Sequence, residues 1–125
     1  MKNSEESISE QVWNLPELHE RVENDQELLR ELVTIFRRDF PRTIRSLEEA
    51  VAAGDLKNSA SLSHALKGML ANLGAARAAA AAAMLEKMAS SAGEETSLKN
   101  ALNALQREAA SLLPELDAYM KEVRR

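Results

Sequence analysis

Residues 63–74 read SHALKGMLANLG, and the period of this stretch decides the fold that the sequence predicts. It contains His64, one of two histidines in the chain, and Gly68, which lies in the middle of an apolar pattern. A glycine inside a helix is less favourable than an alanine by about 1 kcal/mol, so its presence needs a reason. The apolar period continues past Gly68 as far as Leu73, which indicates that the helix does not end at this glycine. Gly74 is the residue expected to end it, in the left-handed conformation that glycine adopts readily.

The helix predicted over residues 56–73 has one apolar face and one polar face. Each residue of an α-helix advances by about 100°, so residues three and four apart share a side. The side opposite His64 is predicted to be buried and comprises Leu62, Leu66, Met69 and Leu73, with Leu70 at its margin. His64 is therefore expected to face solvent, and Lys67 and Gly68 are its surface neighbours because they follow it by three and four positions. The same outer face also carries Lys57, Ala60, Ser61 and Ala71.

Four further helices follow from the spacing of apolar residues elsewhere in the chain. A short helix is predicted to begin after Asn14, and a long helix should then run, kinked but unbroken, through Pro41. An alanine-rich run after Gly74 predicts a close-packed helix. The last helix should bend or briefly break at Pro114. The inner face of the alanine-rich helix is expected to be extended by Met84, Leu85 and Met88.

The composition limits the class of protein. A chain of 125 residues is most simply one domain, and we expect a flexible lead-in over residues 1–13 followed by a helical domain over residues 14–125. Aromatic residues make up only 3%, so the core must consist mostly of leucine, alanine and methionine, which favours helices over strands. The chain has no cysteine, which excludes a disulfide scaffold, a thiol nucleophile and a thiolate metal site.

Charge and hydropathy argue against two kinds of partner. The net charge of -4 does not favour nucleic acid, whose phosphates attract basic proteins. No run of 18 apolar residues is present, so we expect no membrane span. The polar, acidic first residues lack the apolar segment of a signal peptide, and we expect a cytoplasmic protein.

The motif around His64 resembles the signature of histidine-containing phosphotransfer (HPt) domains, H-x-x-K-G-x-x-x-N-x-G. His64, Lys67 and Gly68 match its first part, and Asn72 and Gly74 match its end. The resemblance implies an all-α fold, namely an up-and-down antiparallel four-helix bundle with a short extra N-terminal helix. One departure concerns positions 69 and 70, which are often small in that family but are Met and Leu here. Both are expected to turn inward, so the departure affects the core and not the site.

The resemblance also implies a function in the phosphorelay of a two-component signal transduction system. His64 would be the phosphoacceptor, which takes a phosphoryl group from an aspartate of one receiver domain and passes it to another. Lys67 would be the adjacent cation and Gly68 the small neighbour that lets a partner approach. The partner is expected to contact the outer face of the helix, at Ala60, Ser61, Ala65 and Ala71.

These roles describe a phosphoprotein that carries a phosphoryl group covalently and is not an enzyme, because the chain has no nucleotide-binding motif of its own. The partners implied are receiver domains of response regulators or of hybrid histidine kinases. We expect a monomer without a cofactor, and any Mg²⁺ would be bound by the receiver domain.

Two alternative functions stay open at the level of the sequence, and so does the role of one arginine stripe. The chain could be a helical protein-binding module without phosphotransfer, or the histidine domain of a chemotaxis-type kinase. A stripe formed by Arg38, Arg42 and Arg45 could be a solvated surface or the rim of an acidic partner site. A di-metal bundle is disfavoured, because such bundles need repeated Glu-x-x-His motifs and neither histidine here follows a glutamate at that spacing.

Overall fold

The computed structural model describes residues 11–123, and this part of the chain contains helices and no strand. Its elements are α1 (Leu15–Arg21), α2 (Gln26–Ala52), α3 (Leu56–Leu73), α4 (Ala76–Ser90) and α5 (Glu95–Val123). The predicted all-α class is confirmed. Residues 1–10 of the predicted lead-in lie outside the described residues, so its flexibility and the boundary after residue 13 stay predictions.

Short polar side chains begin the first three helices. The side chains of Asn14, Asp25 and Asp55 each accept a hydrogen bond from the amide three residues later, at 3.2, 3.0 and 3.1 Å. Such capping supplies a partner to one of the amide groups that the first turn of a helix leaves unpaired. Gly54 and Gly74 then follow the ends of α2 and α3 with φ angles of 70° and 88°. The predicted bounds of α3 are therefore confirmed at both ends.

Helices α2 to α5 form the predicted antiparallel four-helix bundle. Helix α3 packs between α2 and α4, and α5 closes the bundle by contacting α4 and α2. Leucine side chains fill its centre, as the low aromatic content predicts. The ring centroids of Phe36 and Phe40 are stacked 4.8 Å apart on the inner face of α2. The short helix α1 precedes the bundle and packs Leu18 fully inside it.

Both internal prolines lie on exposed sides of uninterrupted helices. Helix α2 continues through Pro41, which confirms the prediction of one long helix. Helix α5 likewise continues through Pro114, so of the two predicted outcomes the brief break does not occur, and the bend stays a prediction. Leu112 and Leu116 are fully buried on either side of Pro114, and their packing holds α5 in place despite the lost backbone hydrogen bond.

The buried face of α3 differs from the prediction by a rotation of about 40°. Leu62 and Met69, predicted to be buried, are only partly buried. The buried residues of α3 are Ser59, Ser63, Leu66, Leu70 and Leu73. The rotation follows from the neighbouring helix, because the buried side chains of α4 are mostly alanine. Their small size lets the two helices approach closely, so that small residues of α3 are covered as well.

Helix α4 also departs from the prediction at one methionine. Met84 was expected on the inner face, but its residue surface is 52% exposed. Leu85 is fully buried and Met88 is partly buried. The inner face is set by residues four and three apart, namely Ala78, Ala82, Leu85 and Ala89. Met84 falls outside this row because it precedes Leu85 by one position, which turns it by about 100°.

Candidate functional site

The outer face of α3 presents His64 to solvent, as the helical period predicts. The His64 side chain is 66% exposed, and Gly68, one turn further along, is exposed as well. Lys67 lies between them at the edge that faces α4, with its side chain 38% exposed. The imidazole is therefore accessible to another protein, although it belongs to a helix that is firmly packed on its other side.

Glu86 of α4 binds both His64 and Lys67. One carboxylate oxygen, Oε2, lies 2.9 Å from Nδ1 of His64, and the other, Oε1, lies 3.0 Å from Nζ of Lys67. The carboxylate thus joins the nucleophile candidate to the adjacent cation through two different oxygens. Its own side chain is 26% exposed, so the contact is partly shielded from water.

Sequence reasoning did not find Glu86. The signal that could have found it is the short connection between α3 and α4. In antiparallel helices, residues at equal distances from the connecting turn lie opposite each other, and His64 and Glu86 are each about ten residues from Gly74 and Ala75. The register between the two helices is what places a carboxylate beside the histidine. The alanine-rich sequence around Glu86 gives no local sign of a functional residue.

The charge of Glu86 decides which ring nitrogen of His64 donates the hydrogen bond between them. The ammonium of Lys67, which bonds to Glu86, lowers the pKa of that carboxyl below its ordinary value; partial burial opposes this, and the bond to His64 lowers it further. An ionised carboxylate can only accept hydrogen bonds, so Nδ1 of His64 must be the donor. In a neutral imidazole with its proton on Nδ1, the lone pair is on Nε2. In that form of the ring, Nε2 is the nitrogen that can accept a bond from another group.

Neither packing nor backbone conformation in the described part of the chain requires a glycine at position 68. A Cβ atom added there would meet no heavy atom within 4 Å outside the helix backbone nearby. The backbone at Gly68 is ordinary helix, so the left-handed conformation does not require a glycine either. The missing side chain instead leaves open space next to His64.

The residues predicted to contact a partner lie around His64 on the same side of α3. Ser61, Ala65 and Ala71 are exposed, and Ala60 is partly buried toward α4. Their small side chains present little steric obstruction around the exposed imidazole. We refer to Ala60, Ser61, Ala65, Gly68 and Ala71 as the small-residue face.

An apolar groove lies beside this face, between α2 and the last two turns of α3. Its volume is about 150 Å³, and it is lined by Leu32, Ile35, Phe36, Asp39, Met69, Asn72 and Leu73. Ile35, one of the residues that line the groove, is 39% exposed. At the edge of the groove, the guanidinium of Arg38 bonds to Asp39 at 2.9 Å and lowers the pKa of that carboxyl. The groove was not predicted, because it depends on the rotation that exposes part of Met69.

The comparison with protein families agrees with the geometry. A family model described as Hpt domain matches residues 31–125, which is most of the chain. The chain belongs to the HPt domain family. Comparisons with curated proteins and with solved structures give no significant match. HPt domains carry phosphoryl groups in two-component phosphorelays, interact with receiver domains and have no kinase activity.

Two other kinds of site are absent from the part of this HPt domain that the structure describes. Residues 11–123 contain no group of three or more acidic, histidine or cysteine side chains that could hold a metal ion. None of the helices between residues 15 and 123 is long and apolar enough to cross a membrane.

The family match begins within α2, so α1 and the loop after it precede the matched residues of this HPt domain.

Proposed function

We propose that this HPt domain accepts a phosphoryl group on Nε2 of His64 from the aspartyl phosphate of a receiver domain and passes it to an aspartate of another receiver domain. The observation that carries the proposal is the contact between Glu86 and Nδ1 of the exposed imidazole. With Nδ1 donating to that carboxylate, the neutral ring keeps its free lone pair on Nε2.

The reaction requires no proton transfer within the chain. The lone pair of Nε2 attacks phosphorus, the P–N bond forms, and the bond from phosphorus to the aspartate oxygen breaks, so that the carboxylate leaves. The ring then carries a positive charge with its proton still on Nδ1, next to the negative charge of Glu86. Transfer to the next receiver reverses these steps and restores the neutral imidazole. Glu86 thus acts as a positioning residue that also stabilises the charged ring.

Lys67 and Gly68 have different tasks in this proposal. The ammonium of Lys67 lies one turn from His64 and can compensate the charge of the phosphoryl oxygens. Gly68 keeps the space next to the imidazole open for the partner's aspartate. We assign no cofactor to this chain, and we place the Mg²⁺ that assists phosphoryl transfer on the receiver domain.

The receiver domain would dock on the small-residue face and the adjacent apolar groove. Small side chains on α3 allow its surface to come close to His64, since they present little steric obstruction. The groove offers apolar area beside the site, where a partner's apolar side chain would be removed from water. The groove would therefore extend the docking surface from the surroundings of His64 to the C-terminal end of α3.

The deciding experiment is transfer of labelled phosphate from a phosphorylated receiver domain to purified protein. We expect label on the wild type and on His19→Gln, and no label on His64→Gln. His19 is the matched control because it is the second histidine of the chain and lies on α1. Label on His64→Gln at the wild-type rate would reject the assignment.

Nuclear magnetic resonance of the phosphorylated protein adds a test of Glu86. We expect the phosphorus on Nε2, since Nδ1 is bound to the carboxylate. Phosphorylation on Nδ1 would contradict the role given to Glu86. Labelling by the ATP-binding domain of a kinase but by no phosphorylated receiver would favour the histidine domain of a chemotaxis-type kinase instead.

A further inference from the structure

The C-terminal end of α3 is completed by a segment that precedes the family match. The last carbonyl groups of a helix have no partner within the helix and need donors from elsewhere. Here the amides of Gly74 and Ala75 bond to the carbonyls of Ala71 and Leu70. The next three carbonyls, of residues 72–74, receive their donors from residues 13–21, which we call the N-terminal clamp.

Three donors of the clamp reach three successive carbonyl oxygens. The indole Nε1 of Trp13 donates a hydrogen bond to the backbone carbonyl of Leu73 at 2.8 Å. Nη1 of Arg21 donates one to the backbone carbonyl of Asn72, also at 2.8 Å. The backbone amide of Asn14 donates to Gly74 at 2.9 Å. No carbonyl at this helix end is left to the solvent alone. The guanidinium also places a positive charge at the negative end of the α3 dipole, which is a favourable arrangement.

The clamp is itself held in position. The ring of Trp13 is buried and meets Tyr119 of α5 edge-on, with ring centroids 5.6 Å apart. Arg21 bonds to Glu17 at 2.9 Å, one turn earlier on α1. Gly74 is part of the same fit, because a Cβ atom there would lie 3.1 Å from the carbonyl oxygen of Asn14. The glycine therefore serves both the left-handed turn and the close approach of the clamp.

Two of the three residues whose carbonyls the clamp binds belong to one wall of the apolar groove. Asn72 and Leu73 both line the groove, and Met69 lies one turn before them. His64 is more than two turns earlier on α3, and its fixed partner Glu86 comes from α4. The clamp thus contacts the docking end of α3, whereas α4 contacts the reactive part.

We infer that Trp13 and Arg21 are positioning residues that hold the docking wall of α3 in place and so determine the affinity for the receiver domain, without taking part in phosphoryl transfer. The inference rests on the proposed function, because it assumes that the receiver docks in the groove. It also makes residues 13–21 a functional part of a domain whose family match begins only at residue 31.

The test compares the double variant Trp13→Phe/Arg21→Gln with Arg107→Gln. The first removes the two side-chain donors but keeps an aromatic ring against Tyr119. The second removes the same charge from an exposed position of α5, which contributes nothing to the groove. Arg21→Lys and Arg21→Gln, each as a single change, cover the case in which the double variant does not fold. Lysine keeps the charge and a donor, so it should restore part of the effect that glutamine removes.

The first measurement is hydrogen exchange, which needs no receiver. We expect the amides of Gly74 and Ala75 to exchange about tenfold faster in the double variant, while amides next to His64 keep their rates. The control variant should match the wild type throughout. Unchanged exchange at these two amides would show that the clamp does not hold the helix end.

The second measurement is the rate of phosphoryl transfer as a function of receiver concentration. We expect the concentration for half-maximal rate to rise about fivefold in the double variant, with a maximal rate within twofold of the wild type. A lower maximal rate with unchanged half-saturation, or no change in either, would overturn the inference. If no receiver labels the wild type, the proposed function fails and the docking role with it, while hydrogen exchange still decides whether the clamp exists.

Discussion

At the scale of single residues, His64, Lys67 and Gly68 on α3 can be predicted from the sequence, whereas Glu86 on α4 cannot. The exposure of His64 and the proximity of Lys67 and Gly68 depend only on the period of one helix, so they follow from local spacing. Glu86 depends on the register between two helices, which local spacing does not contain. The site residues that lie on α3 could therefore be predicted from the sequence. Glu86, which lies on another helix and contacts the imidazole, could not be predicted.

Gly68 allows a prediction in which stability and function change in opposite directions. Gly68→Ala adds a methyl group into open space, so we expect the free energy of unfolding to rise by about 1 kcal/mol. In the proposed function the receiver's aspartate approaches His64 at this place. We therefore expect the added methyl group to slow transfer to His64 about tenfold, which corresponds to about 1.4 kcal/mol of barrier. Urea denaturation and the label-transfer assay measure the two effects.

The control for this change is Ala110→Gly on the exposed side of α5. It should lower the free energy of unfolding by a similar amount and leave transfer unchanged, because it alters helix stability away from the docking surface. Transfer at the wild-type rate in Gly68→Ala would mean that the glycine is not needed for access. A loss of stability in that variant would contradict the open space around it.

At the scale of the elements, helix limits were predictable and the rotation of α3 was not. Capping residues and Gly74 mark the ends of α3 in the sequence itself. The side that α3 buries is instead decided by both neighbours together. A bulky apolar residue such as Met69 remains partly exposed while Ser63 is fully covered, because α4 approaches one edge of the helix closely. Hydropathy alone predicts the opposite, namely that Met69 is buried and Ser63 is exposed.

The buried serines of α3 yield a prediction about this close approach. Ser59 and Ser63 lie four residues apart on the edge that continues to Lys67, and their hydroxyl oxygens are buried without a hydrogen-bond partner. An unpaired hydroxyl removed from water is costly, so we expect Ser59→Ala and Ser63→Ala each to raise the free energy of unfolding by about 1 kcal/mol. Urea denaturation of the variants measures the change.

Ser61→Ala is the matched control, since it makes the same substitution on the exposed side of the same helix. It shares the gain in helix propensity but not the removal of a buried hydroxyl, so the difference between the variants isolates burial. Equal gains at all three positions would show that propensity alone is responsible. A loss at Ser63 would indicate that its hydroxyl has a partner in solution.

At the scale of the whole molecule, the bundle separates its tasks among its helices. In the proposed function, α3 carries His64, α4 supplies Glu86, and α2 with the end of α3 forms the docking groove, whose α3 wall is held by the clamp. Helix α5 lines no part of the groove. It packs Tyr119 against Trp13 of the clamp and ties the bundle together, through Arg37 to Asp117 at 2.8 Å and through Arg77 to Glu108 at 3.0 Å. The order of helices was predictable from apolar periods. The clamp was not, because Trp13 and Leu73 are 60 positions apart and no local pattern connects them.

The last prediction tests whether α5 is structural. Glu108 is 25% exposed and binds Arg77 through both carboxylate oxygens, so Glu108→Ala leaves a partly buried guanidinium with less compensation. We expect the free energy of unfolding to fall by about 1–2 kcal/mol. Glu115→Ala, at an exposed position of the same helix, should change it by less than about 0.5 kcal/mol. Both variants should accept phosphate at the wild-type rate when they are assayed well below their unfolding temperatures. A slower transfer in Glu108→Ala under those conditions would show that α5 influences the site through α4, and the separation of tasks would then be wrong.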